Sequence, residues 1–523
     1  MTPGPVPTAG AAAAGRSPPP VAGARGVFSN AGLNLLASTL PFPLALVTVP
    51  AVIRGFGIER YGVLASALVV LAYLALLDVG LGRASTRFLA RSLGPDGGAA
   101  EIFWTVVALA GAVGVATGLL VAAAAPVLAG RVLHVPRELS PDAVDAFRAL
   151  ALGAPFVVLL PTLLGALEAR RRFDLVAAVS VPTTALGLLA PLAVLPWTTR
   201  LLPVVLVFAG VQAAACAAAL TLVLRAVPEV GRPVAPRPRV VGQLLGYGRW
   251  VAVSNVVGPL MVNADRLVIG AVLSVRAVGF YAAPYDMVTR LSLVPSSVMR
   301  ALFPLFSADR TADVREARPL AVDGARAIVL VMGPLAVLIV ALAPDLLRLW
   351  LGAEFAARSA ATLQLLAVGV AVNAAAMVPF WLLQGIGRPD VCAKFHLVEL
   401  AVYVPLLLLL LRWQGITGAA LAWTIRVTLD GGLLLAAAHR LVGAAGQERS
   451  ARRLTRYGAL LVVALAAAWL NAGGVPGAVS RAAIALVLFA GAATLGWLLL
   501  LESGERAAVA AAVGTRLRPR RAA

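Results

Sequence analysis

Residues 52–66, VIRGFGIERYGVLAS, are echoed later in the chain by LSVRAVGFYAAPYD at residues 273–286. Both stretches put a glycine (Gly62, Gly279) and an alanine (Ala65, Ala282) at the entry to an apolar run that ends on an arginine (Arg83, Arg300), all at one offset of 217 residues. A weaker echo at an offset of 216 matches LEARRRFDL (167–175) with LQGIGRPDV (383–391), through Leu167 and Leu383 and through Arg172 and Arg388. The chain therefore reads as two copies of one helical bundle. Internal repeats of this kind underlie many secondary transporter folds, in which two bundles rock around a site at their interface.

Composition places those bundles in a membrane. Of 523 residues, 60% are hydrophobic and only 13% are charged, and the mean hydropathy is +0.91, a balance foreign to water-soluble chains of this length. A hydrocarbon core of about 30 Å is crossed by roughly 20 helical residues. Runs of that kind span 28–52, 61–81, 102–129, 143–167, 173–195 and 201–224 in the first half. The second half offers 250–273, 278–306, 327–349, 360–383, 391–411 and 416–438, followed by 457–475 and 482–501. The expected fold is an all-α polytopic membrane protein of about 14 transmembrane helices, with two pseudo-symmetric six-helix bundles around a central cavity and two additional helices. Twelve is the fallback count, because Gly473, Gly474 and Pro476 shorten the thirteenth run. Expected boundaries are a disordered tail at 1–27, bundles at 28–224 and 250–440, a linker at 225–249, the two added helices within 441–501 and a basic tail at 502–523. No separate cleavable signal is expected ahead of the first run, which is too long for the apolar core of one.

Arginine sets the orientation. With the N-terminus cytoplasmic, 30 of the 44 Lys and Arg fall in cytoplasmic segments and 10 in external loops, so both termini are expected in the cytoplasm. The Pro- and Arg-rich stretch 225–249 then becomes a cytoplasmic connector. Most of the net charge of +20 is accounted for by topology and anionic lipid, and nucleic-acid binding need not be invoked.

Several chemistries are excluded. Lys394, the single lysine, follows Ala393, so there is no phosphate-binding GK[ST] loop. His134, His396 and His439 are scattered, and Cys216 and Cys392 lie in different halves, so neither set has metal-ligand or disulfide-framework spacing. The longest external loop, about 130–142, is too short for a glycan polymerase or ligase domain, and its Glu138 and Asp142 read as solvated charges. The chain reads as a transporter rather than an enzyme.

Residues 52–91, VIRGFGIERYGVLASALVVLAYLALLDVGLGRASTRFLAR, resemble the opening of bacterial polysaccharide and lipid-linked oligosaccharide flippases. Residues 263–283, NADRLVIGAVLSVRAVGFYAA, resemble the seventh-helix signature of the same family, within the multidrug/oligosaccharidyl-lipid/polysaccharide exporter superfamily. The resemblance implies alternating access in a bacterial cytoplasmic membrane. It also implies a polyprenyl-pyrophosphate glycan lipid as cargo for exopolysaccharide, capsule or O-antigen assembly, with membrane lipids and glycan polymerase or assembly proteins as partners. A lipid II flippase and a small-molecule (multidrug) exporter are the alternatives. No cofactor is expected beyond coupling to a proton, a sodium ion or the membrane potential.

Moving a pyrophosphate through hydrocarbon requires cationic and hydrogen-bonding side chains at depth. Arg266 lies about 12 Å below the external end of its run, and Arg290 and Arg426 about 15 Å below theirs. Asn255, Asn263 and Asn373, with Gln364, Asn30 and Asn34, are candidates for sugar hydroxyls, and Asp265 for ion coupling or for pairing with an arginine of the eighth helix. Within-helix neutralisation is the competing reading, since Asp286 precedes Arg290 by four and Arg426 precedes Asp430 by four. Asp78, Arg83 and Arg87, with Arg91, form a basic stripe that reads as an entry site or, more simply, as lipid contact. Gly62 and Gly279 read as sites of close helix approach.

Overall fold

A computed structural model of the chain describes residues 41–76, 85–86, 88–89, 92, 98–242, 264–307, 317–443 and 448–507. Among the described residues there are helices and no strands. The first half contributes α1 (Pro41–Phe56), α2 (Ile58–Leu76), α3 (Ala99–Val127), α4 (Ser140–Ala169), α5 (Phe173–Val194) and α6 (Leu201–Ala226). The second contributes α7 (264–272), α8 (Val275–Thr289), α9 (Leu293–Ser307), α10 (Ala317–Leu351) and α11 (Ala353–Gly385). The run Pro389–Val442 breaks at Gly415 (φ 61°, ψ −140°) into α12 (389–414) and α13 (416–442), because only glycine takes that backbone without strain. Two further helices, α14 (Glu448–Gly474) and α15 (Ala478–Leu500), pack on α10. α14 begins nine residues ahead of the expected apolar run, so the glycines at its end still leave 27 residues of helix.

Small residues hold these helices together, as lipid provides no hydrophobic drive for helix association. Gly114 and Gly118 of α3 lie directly on Ala151, Ala154 and Pro155 of α4, where a methyl group would strike backbone. Large apolar side chains such as Leu119, Leu120, Leu470 and Val487 stand exposed, as a lipid-facing surface requires. Prolines interrupt α4 at Pro155 and Pro161 and α8 at Pro284. The expected solvated role of Asp142 does not hold. Its carboxylate accepts from the Leu201 amide (3.0 and 3.1 Å) at the start of α6 and lies 3.6 Å from Arg60, so it staples a helix N-terminus to the start of α2.

The weaker sequence echo is one turn built twice. Arg172 N bonds Leu167 O (3.0 Å) and Arg388 N bonds Leu383 O (2.8 Å). Arg172 then grips Asp174 (2.9 Å), and Arg388 grips Asp390 (3.0 Å). The left-handed position is Arg171 in one copy and Gly387 in the other. The connector is tied down as well. Trp104 donates to Val230 O (3.0 Å), Arg237 pairs with Glu101 (2.9 Å), and Arg170 pairs with Glu229. Its own backbone amide, and then Arg170, hold the Glu229 carboxyl below the usual carboxylate range.

The stronger echo is where the halves meet. A methyl at Gly62 would strike the Val275 carbonyl, and one at Gly279 would come within 2.9 Å of the Ile58 carbonyl. Ile58 and Val275 are themselves 217 residues apart. Each repeat thus lays its glycine on the carbonyl four residues earlier in the other repeat. Trp350 of α10 adds a hydrogen bond to Leu46 O of α1 (2.7 Å). We expect Gly62→Ala and Gly279→Ala each to lower the thermal midpoint in detergent, by overpacking of about 1–3 kcal/mol. Gly111→Ala on α3, with open space beside it, should be neutral or slightly stabilising.

Candidate functional site

Below the glycine crossing, α2, α7, α8, α11 and α13 enclose a cavity of ≈ 390 Å³. At roughly 30 Å³ per water it has room for about a dozen waters, or for a compact anion. Arg266 of α7, Asp286 of α8, Asn373 of α11 and Arg426 of α13 give its polar wall, and Leu68, Ala72 and Val370 its apolar one. A larger cleft of ≈ 520 Å³ between α10, α11, α13 and α14 is mostly apolar, with Arg318, His439 and a few hydroxyls among its lining.

Arg266 is 7% exposed. Its guanidinium pairs with Asp286 and lies 5.2 Å from the Tyr285 ring centre, which positions the charge at the cavity edge. Its Nε, like that of Arg426, is buried without a hydrogen-bond partner. Arg426 lies over the Tyr403 ring at 5.4 Å, and its Nη1 is 3.6 Å from Glu399 Oε2. Two guanidiniums therefore line one cavity, each holding a donor with no acceptor.

The charge pairing differs from the within-helix expectation. Asp286 serves Arg266 of α7, not Arg290, and Arg426 meets Glu399 of α12 rather than its own i+4 neighbour Asp430. Arg290 opens a 3₁₀ turn at Arg290–Ser292, where the helical register is lost, and falls outside the cavity wall. Asp265 is fully buried, accepting from Tyr281 Oη (2.5 Å) and the Arg266 amide (2.8 Å), so its partner on the eighth helix is a phenol and not an arginine. Gln364 donates to Val340 O (3.0 Å) between α11 and α10, a packing bond that keeps it from a sugar. Asn373 stands in the cavity wall as expected. Asn30, Asn34, Asn255, Asn263, Asp78, Arg83, Arg87 and Arg91 lie outside the described residues. Glu399 went unflagged although it is a lone acidic residue in the apolar run 391–411, which is itself a functional signal.

Two copies of a helical bundle that meet at Gly62 and Gly279, with a polar cavity lined from both halves, define a multi-pass membrane transporter. The chain belongs to the polysaccharide biosynthesis protein family, whose model matches residues 54–360. It is 26% identical over 422 residues to the "Putative O-antigen transporter" of Shigella flexneri, covering 78% of this chain and 96% of that protein. In fold it is similar to the lipid II flippase MurJ in an inward closed conformation (TM-score 0.69, 12% identity, 88% of this chain and 97% of that one). It is also similar to an inward-facing multidrug resistance MATE family transporter of the MOP superfamily (TM-score 0.66, 14% identity, 79% and 98%).

Because the buried Arg266 pairs with Asp286, whose side chain is about a third exposed, Arg266→Ala should destabilise the protein by on the order of 1–2 kcal/mol, less than for a fully buried pair. Arg266→Ala/Asp286→Ala should recover much of that loss. Thermal midpoints of the purified variants check both; a double variant no more stable than the single would contradict the pairing.

Proposed function

We propose that the protein is a flippase carrying a polyprenyl-pyrophosphate-linked oligosaccharide from the cytoplasmic to the outer leaflet by alternating access. The export would feed exopolysaccharide, capsule or O-antigen assembly at the bacterial inner membrane. One observation carries this reading: Arg266 and Arg426, each with a buried Nε that has no hydrogen-bond partner, line a single cavity to which both halves contribute. A pyrophosphate supplies acceptors for both, and the planar fork of arginine suits it. Asn373, in the same polar wall, could meet a sugar hydroxyl. The family and its O-antigen-transporting relative support a glycan cargo, and the MurJ-like fold supports a lipid carrier. A small cationic drug is disfavoured by two guanidiniums in the wall. Lipid II shares the same pyrophosphate chemistry and differs in its glycan.

Asn373→Ala removes a hydrogen-bonding side chain that is only partly buried, so abundance should hold while glycan export falls about fivefold, the worth of one hydrogen bond near 1 kcal/mol. Surface glycan measured per copy of protein tests this, and undiminished export contradicts it. On this reading the arginine bias puts both termini and the connector in the cytoplasm. A cysteine at Arg237 should react only from inside and one at Arg412 only from outside, with the buried Cys216 and Cys392 replaced first.

A further inference from the structure

Behind Arg426, away from the cavity, α12 and α13 enclose a cluster that substrate binding leaves unexplained. Glu399 is 5% exposed, and neither of its carboxyl oxygens has a hydrogen-bond partner. The 3.6 Å to Arg426 is an ion pair, too long for a hydrogen bond. Asp430 Oδ1, one turn beyond Arg426 on α13, is buried and unpartnered as well. Buried polar atoms are nearly always satisfied, and carboxylate oxygens only accept, so these orphans point to a missing donor. Glu399 pairs with Arg426, Asp430 stands one turn from it, and the two carboxyls interact. Two facing carboxylates have no hydrogen between them. One proton supplies the bond.

We propose that Glu399 and Asp430 share a single proton, forming a proton-binding site that Arg426 links to the anion cavity. With one carboxyl protonated, the other charge is matched by Arg426, and the trio is neutral in a low-dielectric interior. Arg426 also lines the cavity. An anion that draws its guanidinium inward leaves the shared-proton pair with an unmatched negative charge, and a second proton from solvent then neutralises it. When the anion leaves, Arg426 returns and that proton is released. Anion and proton binding thereby become mutually favourable, and the coupling is reciprocal. His396, one turn from Glu399 and partly exposed, lies in the field of Asp430 and Arg426.

Other ionisable groups around the cluster are few. Cys392 and Tyr403 belong to α12 itself. α7 brings Asp265 and Arg266, α8 brings Tyr281, Tyr285 and Asp286, and α2 brings Tyr73. The ionisable residues of α11, Glu354 and Arg358, sit in its first two turns, far along the helix from Asn373. Asp265 already has Tyr281 as its donor, which sets it apart from the unpartnered pair.

The link to anion movement rests on the transport reading above, whereas the shared proton does not. Infrared difference spectroscopy of the purified full-length protein between neutral and alkaline pH tests the proton. The carbonyl stretch of a protonated carboxylic acid should be present in the wild type at neutral pH and absent from both Glu399→Gln and Asp430→Asn. The glutamine amide is isosteric with the acid and donates to Asp430, so that variant keeps the local fold. No band in the wild type, or an undiminished band in both variants, overturns the proposal. Titration calorimetry with inorganic pyrophosphate, in two buffers of different ionisation enthalpy, tests the link. Wild type should take up more protons on binding than Glu399→Gln, and equal uptake overturns the link. If pyrophosphate fails to bind, the link falls together with the cavity reading, while the infrared band still decides the shared proton.

Discussion

A charge carried into the membrane interior must find its counter-charge inside the protein, since unpaired ions there are costly. That constraint organises the second half. Arg266 of α7 reaches Asp286 of α8, and Arg426 of α13 reaches Glu399 of α12, each pair bridging two helices. Cross-helix pairing fixes the helices around one cavity, and imperfect pairing leaves Nε donors over. The same polar groups thus hold the helices together and, on the proposed reading, offer donors to an anion.

The second constraint acts where the two halves touch. Gly62 and Gly279 allow α2 and α8 to touch backbone to backbone, with the contact made twice by the pseudo-symmetry of the repeats. A contact built from small residues can part and re-form without repacking large side chains, as rocking bundles require. α14 and α15 take no part in it. Arg481 of α15 grips Asp345 (2.5 Å), and Arg326 of α10 holds the Leu500 carbonyl and Glu505 (2.7 Å), fixing both ends of α15 to α10. The added pair therefore moves with the second half.

Much of this was legible in the sequence because duplication and hydropathy both act along the chain. The 217-residue offset marks the crossing, the 216-residue offset marks the paired turns, and apolar runs of span length mark the helices. Depth below the span ends also placed Arg266, Arg290 and Arg426 in one zone; Arg266 and Arg426 line the cavity and Arg290 does not. Partner choice was not legible. Asp286 lies four residues before Arg290, which suggests a pair within one helix, yet α7 packs close enough for Arg266 to take the carboxylate. Asp142 looked solvated because its loop is short and polar, whereas its carboxylate caps a helix some 59 residues away in sequence. Such outcomes depend on rotation and packing of helices, which local spacing does not encode. Glu399 was different in kind: the signal was present in its apolar surroundings, and its partners lie across the α12–α13 bend at Gly415.

The central claim is that this cavity moves the pyrophosphate-linked head of a glycan lipid between leaflets. The most direct measurement is the leaflet distribution of lipid-linked glycan in cells depleted of the protein, read by access of an impermeant glycan-specific probe to spheroplasts and to inverted vesicles. The account predicts that a lipid-linked glycan accumulates in the inner leaflet and is reached only in inverted vesicles. If depletion leaves every lipid-linked glycan distributed as before, the flippase account is contradicted.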